Sequence, residues 1–472
     1  MDLGKVVKNY LYTFGYQVFL MILPVFTLPY ISRVLLPKGV GINSWTYSIS
    51  YYFVLLAVLG LTTYGQREIA LWRSSERRFK TTFWEIEIAS VITTVISLVL
   101  YAITILALNR YPKYLLIYGI SVLASLFDIS WLFSGLEKFA ILSIRNFIIK
   151  TLSIVLMFVF VKIPNDLGIY IFIQCVTILL SNLSLWPSAL KLVGRIKVRS
   201  MFYVFLRIKH SFSYFIPQVS ISLYVTLNKV LLGFFAGTVQ TGYFDSSDKI
   251  VRLIFTAFTA ISTVMLPRIS SMFSQKKYEQ IRVVMDRVLF ISSFLIIPMS
   301  FLLATNAQLI VQVVLGPKYV LMVNVLQLSA LIILPMSIAN VLGNQVLVPF
   351  NRIRTYTWSV VGGAVVNLLV DVPLILILKA QGAAVASLIS ETTVMLLQSW
   401  FCRDILDIKQ VVHSCWTQGL LGLCLLLPAG IALVSVPGMN PFWKMILSLV
   451  TVIIYVVVLA PKVFTQIRAL LS

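Results

Sequence analysis

Four cations stand inside or at the margins of long apolar runs: Lys150, Lys229, Lys249 and Arg252. A charge placed in hydrocarbon costs several kcal/mol unless it is paired or lines a wet cavity, so these positions are candidates for function before any others. Ammonium and guanidinium groups are natural partners of phosphate oxygens, the guanidinium through a bidentate fork. Polar companions recur beside them at helical spacing. Gln218, Ser222, Thr226 and Lys229 fall on one helix face, and Asp248, Arg252, Thr256, Thr259 and Thr263 fall on one face of the next helix. Packing and anchoring compete with ligand binding at each position, because hydroxyls join helices in membranes and cations near span ends snorkel to the surface. Lys229 and Arg252 are expected within roughly two turns of the outer surface, and Asp248 has the spacing to pair with Arg252. Three carboxylates, Asp128, Asp371 and Glu391, lie in apolar runs where a proton or sodium ion can couple transport, with a structural role as the competing reading. Glu85 and Glu87 are expected at the opening of a helix, where a carboxylate is ordinary.

Nothing in the sequence composes an active site. Two histidines, four cysteines without CxxC spacing and no GxxxxGK[ST] run leave no metal cluster, no disulfide framework and no P-loop. No cofactor is expected and no metal.

The elements that must position these residues follow from composition. Of 472 residues, 59% are hydrophobic and only 11% charged. Soluble domains are nearer half apolar and a quarter charged, so a water-soluble enzyme is excluded. Apolar runs read as spans at about 10–32, 42–64, 82–108, 114–136, 141–162 and 167–190. A second group runs at about 211–236, 247–270, 286–304, 322–348, 356–378 and 383–402, and two more follow at about 413–434 and 442–460. The N-terminal run is too long for a signal-peptide core and lacks a small-residue cleavage pattern, so it counts as the first span. Residues 305–321, ending near Gly316-Pro317, read as an interfacial segment.

The expected protein is all-α and polytopic, with about 14 transmembrane helices. Residues 1–190 are expected to form an N-terminal six-helix bundle, 191–210 a basic cytoplasmic linker, 211–402 a second six-helix bundle and 403–472 two additional helices.

Lys and Arg number 38 against 16 Asp and Glu, a formal charge of +22. With both termini on one side, the alternating loops place 26 cations on that side and 8 on the other. Cytoplasmic loops collect Lys and Arg, which puts both termini in the cytoplasm and explains the charge without nucleic acid.

A repeat links the two halves. Arg33-Val34-Leu35-Leu36 recurs as Lys229-Val230-Leu231-Leu232, each followed by a glycine-bearing loop and a Tyr/Ser-rich entry, Trp45 to Ser48 and Tyr243 to Ser246. Prolines at Pro24, Pro29, Pro217, Pro267, Pro298, Pro335 and Pro373 are expected to kink spans. Gly233 and Gly237 have the spacing of a close-packing pair.

The segment Phe127-Asp128-Ile129-Ser130-Trp131-Leu132-Phe133-Ser134-Gly135-Leu136-Glu137 resembles the FD-x-x-W-x-F-x-G-x-E pattern of Wzx-type oligosaccharide flippases, in the multidrug/oligosaccharidyl-lipid/polysaccharide exporter superfamily. The resemblance covers nearly the whole chain. It continues through Arg145-Asn146, Lys150, Asn182 to Pro187, Phe215 to Gln218, Lys229 to Gly233, Ser247 to Ile250 and Val264 to Arg268. Asn228 departs from it, since the family usually has Asp immediately before this lysine. The resemblance implies two helical bundles around a central cavity. It also implies movement of an undecaprenyl-diphosphate-linked oligosaccharide from the inner to the outer leaflet of a bacterial cell membrane, for capsule or cell-wall glycan synthesis. The implied partners are that lipid substrate, membrane lipids and a membrane polysaccharide polymerase. A cation-coupled drug exporter of the same superfamily is the alternative; it would need an acidic pocket, whereas the four cations here outnumber Asp128 and Asp248. A membrane glycosyltransferase would need catalytic carboxylates or a large loop, and neither is evident.

Overall fold

The computed structural model describes residues 3–194, 200–406, 422–435 and 440–471; side chains at the first eleven positions and at most of 216–225 and 257–270 fall outside that description. Every regular element among the described residues is helical. The chain divides into two compact units, Met1–Val230 and Leu231–Ser472. The division falls inside a helix rather than in the expected linker at 191–210, whose second half is itself helical.

Unit 1 holds α1 (Leu3–Val58), α2 (Leu61–Trp72), α3 (Glu76–Leu108), α4 (Pro112–Ala124), α5 (Ser130–Gly135), α6 (Phe139–Phe160), α7 (Leu167–Leu183), α8 (Trp186–Val193) and most of α9 (Met201–Phe235). Unbroken, the 56 residues of α1 would reach about 84 Å, nearly three times the hydrocarbon thickness. Leu36, at φ 60° and ψ 170° before Pro37, breaks the helix into two limbs, which are the two expected spans. Trp45, Tyr101 and Leu115 anchor one core cluster of the unit, and Phe83, Ile86 and Trp131 another.

Unit 2 holds α10 (Thr238–Ser274), α11 (Tyr278–Thr305), α12 (Ala307–Ile310), α13 (Val323–Ala330), α14 (Ile333–Asn340), α15 (Ile353–Leu378), α16 (Ala380–Phe401), α17 (Leu427–Ser435) and α18 (Pro441–Leu471). The backbone break of Leu36 recurs at Gly237 (φ 87°, ψ 166°) and at Gly316 (φ 97°, ψ 173°), each opening a new helical segment. In the sequence repeat Leu36 aligns with Leu232, which lies inside α9, so the break of the second half falls beyond the repeated residues, at Gly237. That break also corrects the Gly233–Gly237 reading: Gly237 is the left-handed joint before α10, with nothing within 4 Å of where a Cβ would point. The 305–321 segment is irregular, as expected: α12 runs into a π turn, then Gly316 and Pro317 open a 3-10 turn.

Ten described stretches are long and apolar enough to cross a membrane, with shorter apolar helices at Thr226–Phe235 and Cys424–Leu433. One stretch, Phe14–Trp72, takes in most of the first expected span and all of the second. The expected spans 211–236, 247–270 and 413–434 lie partly outside the described residues. Polarity is inverted relative to a soluble protein. On α15, Leu369 and Ile377 are 68% and 75% exposed while Asn367 and Asp371 are wholly buried. Apolar side chains face outward because hydrocarbon is their solvent.

Candidate functional site

In unit 1 the flippase-like motif is a joint between helices. Asp128 interrupts the chain between a 3-10 turn and α5, and its Oδ1 accepts the Ser130 N–H at 3.0 Å. The Trp131 indole N–H donates to the Asp128 carbonyl at 3.0 Å, and the ring lies where a Cβ on Gly65 of α2 would clash. Gly135 is required because a Cβ there would come within 2.7 Å of the Gln66 carbonyl. Glu137 closes the joint with Arg73 at 2.9 Å. Much of the motif thus packs α5 onto α2, and one oxygen of Asp128 is committed to that task.

Above the joint stands α6 with Arg145 and Lys150. The Arg145 guanidinium donates to Ser181 O at 2.8 Å and to Asn146 Oδ1 at 2.6 and 3.1 Å, neutral acceptors that leave its charge uncancelled by contact. Lys150 is half-buried, and no described residue gives it a hydrogen bond or an ion pair. Farther on, the Thr226 hydroxyl of α9 donates to Ser222 O at 2.8 Å and shares a 2.9 Å hydrogen bond with the Tyr52 hydroxyl, so it ties α9 to α1. Lys229 is half-buried next to buried Asn228, and the side chain of Gln218 lies outside the described residues.

Unit 2 changes the expected charge balance. Lys249 Nζ meets Asp245 Oδ2 at 2.6 Å, and Arg252 Nε meets Asp248 Oδ1 at 2.8 Å, both four residues apart on α10. Asp245, 4% exposed at its side chain, was missing from the reading of four cations against two carboxylates. Its spacing to Lys249 was legible. α10 is therefore neutral over this stretch. It also begins at Thr238, earlier than the expected span, so Arg252 lies about four turns in rather than two. Thr256 and Thr259 donate to carbonyls of their own helix, Arg252 O and Thr256 O.

The α15–α16 hairpin carries the remaining candidates. Ser359, Gly363, Asn367, Asp371 and Ile375 form one buried stripe on α15. Ser390 Oγ donates to Gly363 O at 2.7 Å and Gln398 Nε2 to Ser359 Oγ at 3.1 Å, which seats α16 directly on that stripe. Glu391 is buried on α16. Neither oxygen of Asp371 and neither polar atom of Asn367 has a hydrogen-bond partner, although both residues are fully buried. Asn367, one turn before Asp371, escaped sequence reading because a lone Asn in a span carries no signal.

Two more acidic positions correct an expectation. α3 begins at Glu76, so Glu85 and Glu87 sit well inside it, each 4% exposed, rather than at its opening. Glu85 joins a buried cluster: the Arg207 guanidinium of α9 meets Glu85 Oε2 at 3.0 Å and Glu68 Oε2 at 2.6 Å, and donates to Tyr64 OH at 2.8 Å. Of this cluster the sequence singles out Glu85 alone, and only as a helix-opening carboxylate.

Helices apolar outside and charged within define a multi-pass α-helical membrane protein of the transporter type. The chain belongs to the polysaccharide biosynthesis protein family, whose pattern matches residues 6–273. It is 26% identical over 406 residues to a putative O-antigen transporter of Escherichia coli K12, covering 84% of this chain and 96% of that one. It is 22% identical over 186 residues, 39% of each chain, to a probable low-salt glycan biosynthesis flippase, Agl15, of Haloferax volcanii. Among solved structures, the inward closed form of the lipid II flippase MurJ has the same fold, with a TM-score of 0.73 at 16% identity, over 97% of this chain and 100% of that one. An inward-facing multidrug resistance MATE family transporter matches with a TM-score of 0.62 at 14% identity, over 82% and 95%. The resemblance read from the Asp128–Glu137 motif is borne out.

Proposed function

We propose that this protein flips undecaprenyl-diphosphate-linked oligosaccharide repeat units from the inner to the outer leaflet of the bacterial cytoplasmic membrane, with both termini cytoplasmic. The units feed a surface polysaccharide through a membrane polymerase. Membership of the polysaccharide biosynthesis family and a near full-length likeness to an O-antigen transporter support this reading. The observation that carries the chemistry is Lys150, a half-buried ammonium inside a span that no described residue pairs. A diphosphate supplies the missing counter-charge, and the sugar hydroxyls follow it into a polar interior while the lipid tail stays in hydrocarbon. Lys229 is the second cation of unit 1. Lys249 and Arg252, each carrying its own aspartate, act on substrate only by exchanging that partner.

Asp371, with Asn367 beside it, is the carboxylate that takes up the coupling ion in unit 2, because its burial without a partner is costly until a cation neutralises it. Glu391 is the next candidate and Asp128 the third, since its cap role occupies one oxygen.

The test is flipping of a defined lipid-diphosphate oligosaccharide in proteoliposomes. Lys150→Ala should cut the initial rate at least tenfold with insertion intact, and Lys150→Arg should retain part of it. Full activity of Lys150→Ala removes the residue from the site. In cells, deletion should strand lipid-linked oligosaccharide on the cytoplasmic face and leave sensitivity to cationic dyes unchanged; dye hypersensitivity with an intact surface glycan would favour the exporter reading instead.

A further inference from the structure

Unit 1 contains a buried carboxylate that nothing above uses. Glu87 is 4% exposed, and its Oε2 has no hydrogen-bond partner. It heads a polar line along α3: Glu87, Ser90, Thr94, Ser97 and Tyr101 alternate by three and four residues, share one face, and are all buried. The far end of the line is satisfied. Ser97 Oγ donates to Phe53 O at 2.6 Å, Tyr101 OH donates to Leu115 O at 2.6 Å, and it meets Ser50 Oγ at 2.7 Å. The near end is not, because Thr94 Oγ1, fully buried, also has no partner.

At the head of the line, α3 packs on the 3-10 turn Ser125–Phe127, which brings Asp128 within electrostatic reach of Glu87. Behind Asp128 stands Arg145 of α6, within reach of Asp128 and of Tyr16 on α1. Its guanidinium is held by Ser181 and Asn146 rather than by either carboxylate. Of the other elements packed on α3, α2 presents Glu68, bound to Arg207; α4 presents Tyr118, whose hydroxyl donates to Asn43 Oδ1 of α1 at 2.8 Å; and α8 carries exposed Lys191. Glu85 points to the Arg207 cluster, away from Glu87.

A carboxylate buried with an unpartnered oxygen in a low-dielectric interior, with a second carboxylate within electrostatic reach, stays ionised only at a penalty of several kcal/mol. A hard metal cation would need about six oxygen ligands. The described residues hold no group of three or more His, Cys, Asp or Glu side chains placed for one. We propose that Glu87, beside Asp128, is a proton-binding carboxylate inside unit 1, reached along the hydroxyl line of α3. The bound proton forms an O–H bond on the Glu87 carboxylate and removes its negative charge. This site is separate from Asp371, and its existence does not depend on what the protein carries.

The experiment is an infrared pH titration of the full-length protein in lipid nanodiscs without substrate, reading the C=O band of protonated carboxyl groups. Glu87→Gln is isosteric and buries no charge, and it should remove a component of that band that Asp371→Asn leaves in place. Glu87→Asp should restore a titrating component, and Asp128→Asn should move the midpoint of the Glu87 component. A Glu87→Gln spectrum superimposable on the parent at every pH overturns the proposal. So does an unmoved midpoint in Asp128→Asn, which is the decisive measurement if Glu87→Gln does not fold.

Discussion

Replacing Arg207 with Met removes the only cation bound to Glu68 and Glu85 among the described contacts. Their side chains are 14% and 5% exposed, so the two carboxylates would be left buried and unpaired. Breaking a buried pair in this way costs about 3–5 kcal/mol, chiefly the desolvation of the orphaned charge. Tyr64 OH loses a donor as well. The cluster holds one cation and two anions, which makes the three single substitutions unequal. Glu68→Gln leaves a one-to-one pair of Arg207 with Glu85 and should cost about 1 kcal/mol or less. Arg207→Met should cost several times more. The triple variant Arg207→Met, Glu68→Gln, Glu85→Gln removes every charge and should recover most of the loss, since neutral substitutes for buried ion pairs are often harmless.

Membrane proteins of this size unfold irreversibly, so the measurement is a rate: loss of the monodisperse peak in size-exclusion chromatography after heating in detergent. If the full cost appears in the unfolding rate, 3 kcal/mol accelerates inactivation by a factor of about 150. Arg207→Met with a parental half-life, or a triple variant as labile as Arg207→Met, would refute the idea that this cluster holds α9 onto α2 and α3.

Gly382→Ala should loosen the α15–α16 hairpin, because a Cβ there overlaps the Leu374 carbonyl and backbone cannot yield as a side chain can; an overpacking cost of about 1–3 kcal/mol should appear as faster inactivation in the same heating assay. The Arg352–Asp404 contact links the start of α15 to the end of α16, and the hydrogen bonds from Arg352 hold the Asp404 carboxyl below its usual range. A lowered carboxylate value means the stabilisation is complete above the ordinary carboxylate range and is lost as acid titrates Asp404 in the folded protein. Hydrogen exchange at 402–406 should therefore rise at low pH and be pH-insensitive in Asp404→Asn, with an effect of at most about 1 kcal/mol because both side chains are over a third exposed. Ser75→Cys and Ser200→Cys should react only with membrane-permeant thiol reagents in intact cells. The outer probe is best placed at Val239→Cys, since Val239 is 38% exposed and Thr238 is buried; labelling of Ser200→Cys by an impermeant reagent would invert the topology.

The sequence by itself settled whatever depends on solvent and local geometry. Apolar runs bounded by charge announce membrane helices because hydrocarbon tolerates no unsatisfied backbone. The separation of the first two spans around Leu36-Pro37 was legible, since charge, proline and glycine interrupt the apolar run there within a few residues. The pairing of Arg252 with Asp248 was legible too, because four residues make one helical turn. Tertiary structure decided every question whose partners lie far apart in the chain. Arg207 read as one more linker cation until α9 was laid against α2 and α3, more than 120 residues earlier. Glu87 read as an ordinary helix-opening carboxylate until α3 proved to start at Glu76, which places Glu87 about three turns inside the helix and buries it. Asn367 and Asp371 became a pair of buried, unpartnered polar residues only when other helices packed on their face of α15. Periodicity tells which face of a helix a residue occupies; only packing tells what that face meets, and the cost of a buried charge is set by what it meets.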